Sequence, residues 1–397
     1  MSSLSRRIDD ALGERERHGL LRDRHRRPVE GPSGPRITIN GQNQINFASN
    51  GYLGLSLHPK VIQAFEDELR ISGTSSAASR LVTGNTTAIQ SLEKALAAFK
   101  GTEDALLMSN GYQANVGVLQ SVGTLYKKIN EPLVIFSDSL NHASLVDGCS
   151  QARAEVIVYP HRDVRFLRKA MIAHEDQAKF IVTESRFSMD GDIAPLAELV
   201  DLKNEFDAGL FVDEAHATGI DGEGRGLIHK LGLTKDVDFI VGTLGKGLGT
   251  HGAYVAGDTH QLKWLANTAR TFIYSTALPA AVARATLAAL DVLKEERPYE
   301  KLNDNIRYFR ERLTAHGLSF LLAPDADGPI LPIIVGSPER ALKLQNYLET
   351  KGILAVAIRP PTVPAGTSRI RLSLRADHDY SDIDLLIDAL REVSHDD

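Results

Sequence analysis

A single lysine, Lys246, stands among glycines in Gly242-Thr243-Leu244-Gly245-Lys246-Gly247-Leu248-Gly249, directly after the apolar run Phe239-Ile240-Val241. An amine at the end of a strand can reach a bound molecule, and glycines let the backbone crowd in beside it. Three chemistries use such a stretch. One is a loop that cradles nucleotide phosphates, one is a dinucleotide fingerprint, and one is a lysine that forms a Schiff base with an aldehyde cofactor.

The two nucleotide readings fail on context. Asp213-Glu214-Ala215-His216, following Gly209-Leu210-Phe211-Val212, looks like the acidic box of a helicase, but that box needs a phosphate loop of the form G-x-x-x-x-G-K-[ST]. Around Gly245-Lys246, Ile240 replaces the first glycine and Gly247 replaces the magnesium-binding hydroxyl. Gly247-Leu248-Gly249-Thr250-His251-Gly252 fits G-x-G-x-x-G, yet it opens toward the strand pattern Ala253-Tyr254-Val255 rather than a helix. A Schiff-base site built for pyridoxal phosphate needs further parts: an acid for the pyridine nitrogen, a flat group against the ring, and amides or hydroxyls for the phosphate. Asp213 at a strand end suits the acid, because a carboxylate beside a buried cation stabilises both charges; it also suits a turn or helix cap.

These residues need a scaffold that brings distant strand ends together. From Pro59 onward, helical and strand-like patterns alternate, with strands expected at 104–108, 133–137, 155–159, 179–184, 209–213, 238–242 and 253–256. Helices are expected between them at 60–71, 87–99, 112–122, 142–151, 163–174 and 195–206. Apolar strands separated by helices predict an α/β fold with a mostly parallel central sheet flanked by helices, whose ligands sit beyond the strands' carboxyl ends. A long helical region at 280–316, broken at Glu296-Arg297-Pro298, leads to a smaller C-terminal α/β unit with strands at 330–335, 353–358 and 369–374 and helices at 338–350 and 380–393. The division expected is an N-terminal helix and hairpin segment over 1–58, a large domain over 59–296 and a small domain over 297–397.

Composition narrows the class of protein. The 397 residues are 43% hydrophobic and 24% charged with a formal net charge of −6, so the chain has no basic footprint for nucleic acid. Cys149 is the one cysteine, which excludes an intrachain disulfide and a multi-cysteine metal site; no metal is expected. The arginine-rich N-terminus, with a helix expected from Leu4 to Leu21, is interrupted by Asp9, Asp10, Glu14 and Glu16 and has no apolar region after it. Neither a secretory signal nor a membrane span is expected, and the reading is a cytoplasmic protein.

Five motifs in order, Asn141-His142-Ala143-Ser144, Phe187-Ser188-Met189-Asp190-Gly191-Asp192, Asp213-Glu214-Ala215-His216, Gly242-Thr243-Leu244-Gly245-Lys246-Gly247 and Phe272-Ile273-Tyr274-Ser275-Thr276, closely resemble the α-oxoamine synthases. The resemblance covers roughly residues 4–392. It implies a fold-type I transferase that uses pyridoxal 5'-phosphate to join an amino acid to an acyl thioester. Lys246 would hold the cofactor as a Schiff base and then serve as base at the substrate Cα. Asp213 would pair with the ring nitrogen, His142 would stack on the ring, Ala215 would pack under it, and Ser188 and His216 would bond its phenolic oxygen.

The phosphate would rest on the backbone of Gly111 and Tyr112, at a helix start where free amides favour an anion, and on the Thr243 hydroxyl. Ser275 and Thr276 would reach it from a neighbouring subunit, which implies a homodimer with shared sites. Arg369 and Arg371, two apart on one strand, share a face, and Arg371 would clamp the amino-acid carboxylate. Arg22, Asn50, Arg359 and Thr362 would line the substrate side. The stretch Ile358 to Leu372 points, within the family, to L-alanine and a pimeloyl thioester on coenzyme A or acyl-carrier protein. Glycine with an acetyl or succinyl thioester, serine with a palmitoyl thioester, an autoinducer-type condensation, and an aminotransferase of the same fold are the alternatives.

Overall fold

A computed structural model describes residues 2–17, 21 and 28–394. Its centre is a seven-stranded sheet in the order Asp104–Met108, Ala253–Gly257, Phe239–Thr243, Gly209–Asp213, Ala178–Glu184, Leu133–Asp138, Glu155–Tyr159. Ala253–Gly257 runs antiparallel to both of its neighbours, and the other pairs formed directly between strands are parallel. The interior strands are buried along most of their length, as parallel strands covered by helices on both faces must be. Two apolar clusters, one on each side of the sheet, include Val134, Phe136, Ile181, Leu210, Val212 and Ile240 in the first and Ile135, Phe180, Val182, Phe211 and Val241 in the second. This alternation along each strand is the pleat itself.

The strands lie where the hydropathy pattern places them, and three differences have physical reasons. The helix expected to end at 122 runs from Gly111 to Ile129. Gly123 does not end it, because a Cβ there would come within 2.0 Å of the Ala152 carbonyl oxygen; the glycine serves close packing on the helix Ala143–Ala152. A helix not anticipated, Thr259–Thr268, is started by a capping box between Asp258 and Gln261. The stretch expected as one strand over 353–358 is two: Ile353–Leu354 pairs with the N-terminal hairpin, and Val356–Ile358 joins the small antiparallel sheet Ile330–Gly336, Ser368–Ser373, Val356–Ile358. Ala355, fully buried, turns the chain from one sheet to the other.

The hairpin Arg36–Ile39 and Gln42–Asn46 is thus tied to the C-terminal unit, with Ile353 opposite Ile45. The long helical region is two helices, Ala280–Glu296 and Pro298–Ala315, separated by Arg297 at φ 50°. The N-terminal helix spans Ser3–Arg17 and buries none of its residues; the remainder of the expected 4–21 helix largely falls outside the described residues. No helix among the described residues is long and apolar enough to cross a membrane.

One buried ion pair braces the strand that ends at Asp213. Lys100 closes the helix Thr87–Lys100 and donates to the Glu214 carboxylate and the Arg225 carbonyl, while Glu214 also accepts the Ile228 amide at 2.9 Å. Both side chains are almost wholly excluded from water. Burial works against the Lys100 ammonium, but the Glu214 carboxylate and the Tyr254 side chain together outweigh it and raise the pKa of the amine. Removing one partner of such a pair strands a charge in low dielectric. Lys100→Met is therefore expected to cost about 3–5 kcal/mol, read as a lower urea midpoint at unchanged slope.

Candidate active site

Five strands deliver chemistry to one edge of the sheet. Asp213, Glu184, Thr243, Asp138 and Met108 each end their strand on that side, and Glu184 lies directly opposite Asp213 in the register. This is the crevice that parallel α/β sheets use for ligands.

Lys246 is held by what flanks it. Leu244 and Leu248 are fully buried on either side, and backbone bonds from Leu244 to Gly252 and from Thr250 to Leu244 close the loop. A Cβ at Gly247 would meet the Thr218 carbonyl oxygen at 2.5 Å, so the motif's glycine gives clearance for packing rather than for a nucleotide. The Lys246 Nζ lies 3.1 Å from His216 Nε2. Burial lowers its pKa, Asp213 and Glu184 oppose that fall, and Arg371 adds to it. An amine with a lowered pKa is the form able to attack a carbonyl or accept a proton. His216 is driven well below its ordinary value by burial and then by the Lys246 and Arg371 charges, so it is neutral.

Asp213 is fixed by two donors. Its Oδ2 accepts from Asn115 Nδ2 at 2.8 Å and its Oδ1 from the Ala215 amide at 2.8 Å. Asn115 Nδ2 also reaches Ser144 Oγ at 2.9 Å, and that hydroxyl is 2.7 Å from His142 Nδ1. His142 caps the helix Ala143–Ala152, and its own amide donates to Glu184 Oε1 at 2.7 Å. Burial lowers the His142 pKa, an effect that Asp213 opposes and Lys246 reinforces.

The anion end of the pocket is built from backbone. Gly111 and Tyr112 open a 19-residue helix capped by Asn110, whose side chain accepts the Gln113 amide at 2.9 Å. First-turn amides of a helix have no intrahelical partner and the dipole favours negative charge there. A Cβ on Gly111 would come 2.7 Å from Thr243 Cγ2, so only glycine lets the helix start and Thr243 approach this closely. The Thr243 hydroxyl is buried without a partner among the described residues. A buried, unsatisfied hydroxyl beside free amides needs an acceptor-rich group. A phosphate meets that need, and Asp213 and Lys246 beyond it meet those of a protonated ring nitrogen and an aldehyde, so the residues fit pyridoxal phosphate.

The comparisons agree. The family model for aminotransferase class I and II matches residues 42–390. The 8-amino-7-oxononanoate synthase of Nitrosococcus oceani is 43% identical over 385 residues, covering 96% of this chain and 99% of that protein. That of Methylococcus capsulatus is 44% identical over 373 residues, covering 93% and 94%. The chain belongs to the 8-amino-7-oxononanoate synthases, within aminotransferase class I and II. Among solved structures, a serine palmitoyltransferase from S. paucimobilis with bound PLP superposes with a TM-score of 0.89 at 29% identity, covering 100% of this chain and 99% of that one. An 8-amino-7-oxononanoate synthase from Francisella tularensis gives 0.75 at 27% identity, covering 89% and 98%. The fold is therefore that of fold-type I pyridoxal phosphate enzymes, the protein is an acyltransferase, and its cofactor is pyridoxal 5'-phosphate.

The substrate-side residues are unevenly placed. Arg371 is buried beside the cluster, its Nε donating to the Ser188 carbonyl at 2.6 Å and its Nη1 to Ser373 Oγ at 2.8 Å, with Nη2 3.4 Å from Tyr52 Oη. Arg369 is buried too, but it is turned to the Asp190 carboxylate and the Met189 and Thr367 carbonyls. Asn50 reaches the cluster through Tyr52, whose hydroxyl donates to its Oδ1 at 3.1 Å. Arg359 is half-buried and Thr362 exposed, joined by a backbone bond of 3.0 Å. Ser275 and Thr276 border Ser109, which donates to the Thr276 carbonyl at 3.2 Å, and neither has a described bond to the Lys246 cluster. Tyr112 is partly exposed and gives its hydroxyl to Asp147. Arg22 lies outside the described residues.

Asn115, Tyr52 and Glu184 escaped the sequence reading. Tyr52 Oη lies 2.7 Å from His216 Nδ1 and so links the base to the arginine corner. Glu184 is fully buried, and burial with the neighbouring Asp213 charge pushes its carboxyl up to about 8. A signal for Glu184 did exist, a carboxylate ending an apolar strand as Asp213 does. Tyr52 had none, since a tyrosine after a loop reads as core.

Proposed function

We propose that this chain condenses L-alanine with a pimeloyl thioester to give 8-amino-7-oxononanoate, carbon dioxide and the free thiol, in biotin biosynthesis. The observation that carries the reading is the convergence of Lys246, His216, Tyr52 and Arg371, which sets a base of lowered pKa beside a guanidinium suited to a carboxylate. The names of the curated relatives give the product, 8-amino-7-oxononanoate. Pyridoxal phosphate, when bound, supplies an electron sink for the bond changes at the amino-acid Cα.

The protein's residues do the rest. Arg371, already fixed through Nε and Nη1, binds the amino-acid carboxylate with its remaining nitrogen, and Asn50 borders that corner. Lys246 takes and returns the Cα proton, with His216 beside its Nζ. Asp213 would hold the cofactor through its ring nitrogen, with Ala215, His142, Ser188 and His216 as the other side chains that would surround it. Gly111, Tyr112 and Thr243 hold the phosphate. Arg359 and Thr362 flank the acyl side, and Arg369 supports the Ser188 segment through Asp190.

The working unit is a homodimer, in which Ser275 and Thr276 of one protomer complete the phosphate site of the other. Leu81 and Val82, adjacent in the chain, are exposed at 60% and 73%, which leaves apolar surface that a second protomer could cover. The cytoplasm is the compartment this reading assigns to it.

Product analysis tests the reaction. With L-alanine and the pimeloyl thioester, offered on coenzyme A and on acyl-carrier protein, mass spectrometry should find 8-amino-7-oxononanoate and stoichiometric thiol. Turnover with glycine or serine but not alanine would defeat the assignment. Release of pyruvate from alanine without any acyl donor would favour an aminotransferase.

A further inference from the structure

Outside the cofactor pocket, the side chain of His161 is clasped between two carboxylates. Its Nδ1 lies 2.9 Å from Asp138 Oδ1 and its Nε2 2.7 Å from Asp192 Oδ2. Both carboxylates are nearly inaccessible to water and the imidazole is 23% exposed. A neutral imidazole has one N–H and could satisfy one of these acceptors only, so two carboxylates at hydrogen-bond distance require both nitrogens to be protonated. Phe187 packs edge-on against the ring, with centroids 4.5 Å apart.

The knot ties a strand end to the segment Phe187–Asp192. Asp138 ends the strand Leu133–Asp138 and accepts the Leu140 and Arg162 amides, each at 2.9 Å. Asp192 closes the segment and also accepts from Arg162 Nη1 at 3.1 Å, and the same guanidinium nitrogen reaches Asp325 Oδ2 at 3.1 Å. Within that segment, Ser188 offers the carbonyl that holds Arg371 Nε, and Asp190 takes Arg369. Arg186, paired with Asp221, donates to the Gly191 carbonyl at 3.1 Å and steadies the turn from the other side.

We propose that His161 is a positioning residue, held as the imidazolium, which fixes the Phe187–Asp192 segment and through the Ser188 carbonyl aims Arg371 at the amino-acid carboxylate. The inference rests on the reading of Arg371 given above. Among the described residues the knot shares no bond with Lys246 or Asp213, and it reaches the cofactor pocket only through the Ser188 segment that it fixes.

The groups facing the ring agree on its charge. Burial disfavours the imidazolium, but the bonds and charges of Asp138 and Asp192 outweigh it and push the pKa up to about 9. Arg162 faces Asp192 rather than the ring, and Tyr159 beside Asp138 is held protonated by burial and by that carboxylate. Because the folded pKa is raised above the ordinary 6.5, the contribution of the knot is complete below about pH 6.5 and is lost as pH rises through about 9.

The protonation state can be read directly. Nitrogen-15 NMR of the histidines in the full chain at pH 7.5, with and without cofactor, should show both His161 nitrogens protonated; one unprotonated nitrogen there overturns the proposal. His161→Gln can satisfy one carboxylate only, and it should raise KM for alanine by about tenfold while kcat changes less than about threefold and the thioester KM stays put, as should Asp192→Asn. The wild-type KM for alanine should climb above pH 9 more steeply than that of His161→Gln. Arg371→Lys is the control. If it raises the alanine KM and His161→Gln does not, His161 is not a positioning residue and Arg371 stands; if Arg371→Lys leaves KM unchanged, the Arg371 reading itself falls.

Discussion

Lys246→Ala should lower turnover by about 10⁴-fold or more, since it removes both a general base, worth roughly 10²–10⁴-fold alone, and the covalent anchor of the cofactor. The fold should survive, because among the described residues the Lys246 side chain bonds only to His216 Nε2 and the loop is held by Leu244, Leu248 and backbone bonds. Cofactor should still bind, through the Gly111 and Tyr112 amides, the Thr243 hydroxyl and Asp213, but without the visible absorbance of the lysine Schiff base. The check is a pair of measurements on one preparation, product formation and the cofactor spectrum. Normal turnover in the variant would overturn the mechanism.

Asp213→Asn should cost about 10²–10³-fold in kcat, the roughly 3–4 kcal/mol expected when one partner of a buried, hydrogen-bonded charge pair is neutralised. The substitution keeps the shape, and the Ala215 amide can still be accepted by the asparagine oxygen. Its amide would then face Asn115 Nδ2, donor against donor, where the carboxylate now accepts at 2.8 Å. The charge has a second effect that gives the test its sign. Asp213 holds the Lys246 pKa up against burial and pushes the Glu184 pKa upward. Removing the charge should move both pKa values down, so the acid limb of the kcat/KM profile should shift to lower pH. A profile that keeps its position, with kcat within about threefold of wild type, would show that Asp213 acts only as a structural turn residue.

The geometry also explains why the lysine can be reactive without being exposed. Its amine faces a neutral histidine, with carboxylates close enough to keep its pKa from collapsing and Arg371 close enough to keep it from recovering. The Arg371 charge that would bind one substrate group thus also tunes the base that acts on that substrate. Tyr52 lies between the two, touching both His216 and Arg371.

Much of this was legible in the chain alone, for local reasons. Period-two and period-3.6 hydropathy placed nearly all the central strands and their helices, because a strand buried on both faces must be apolar throughout and its covering helices must be amphipathic. Asp213 could be noticed because it ends an apolar run and Lys246 because it stands among glycines after one, whereas Gly111 was reached only through the family resemblance. What failed locally was the division of 353–358 between two sheets, since nothing in six apolar residues says which edge each half will meet.

The sequence by itself determined the architecture, which depends on residue type and spacing along the chain, and its resemblance to a known family implied the cofactor and put forward Lys246 and Asp213 as the residues that hold it. Tertiary structure alone decided which carboxylate faces which cation. Glu184 meets Asp213 only through strand register, Tyr52 meets His216 across 164 residues, and Arg371 reaches the Ser188 carbonyl across 183. Arg369 and Arg371 look alike in the sequence, yet Asp190 satisfies the first, while the second keeps a nitrogen near Tyr52. The reason is physical: the charge state of a buried group depends on burial and on every charge within several ångströms, and those neighbours are chosen by folding, not by adjacency in the chain.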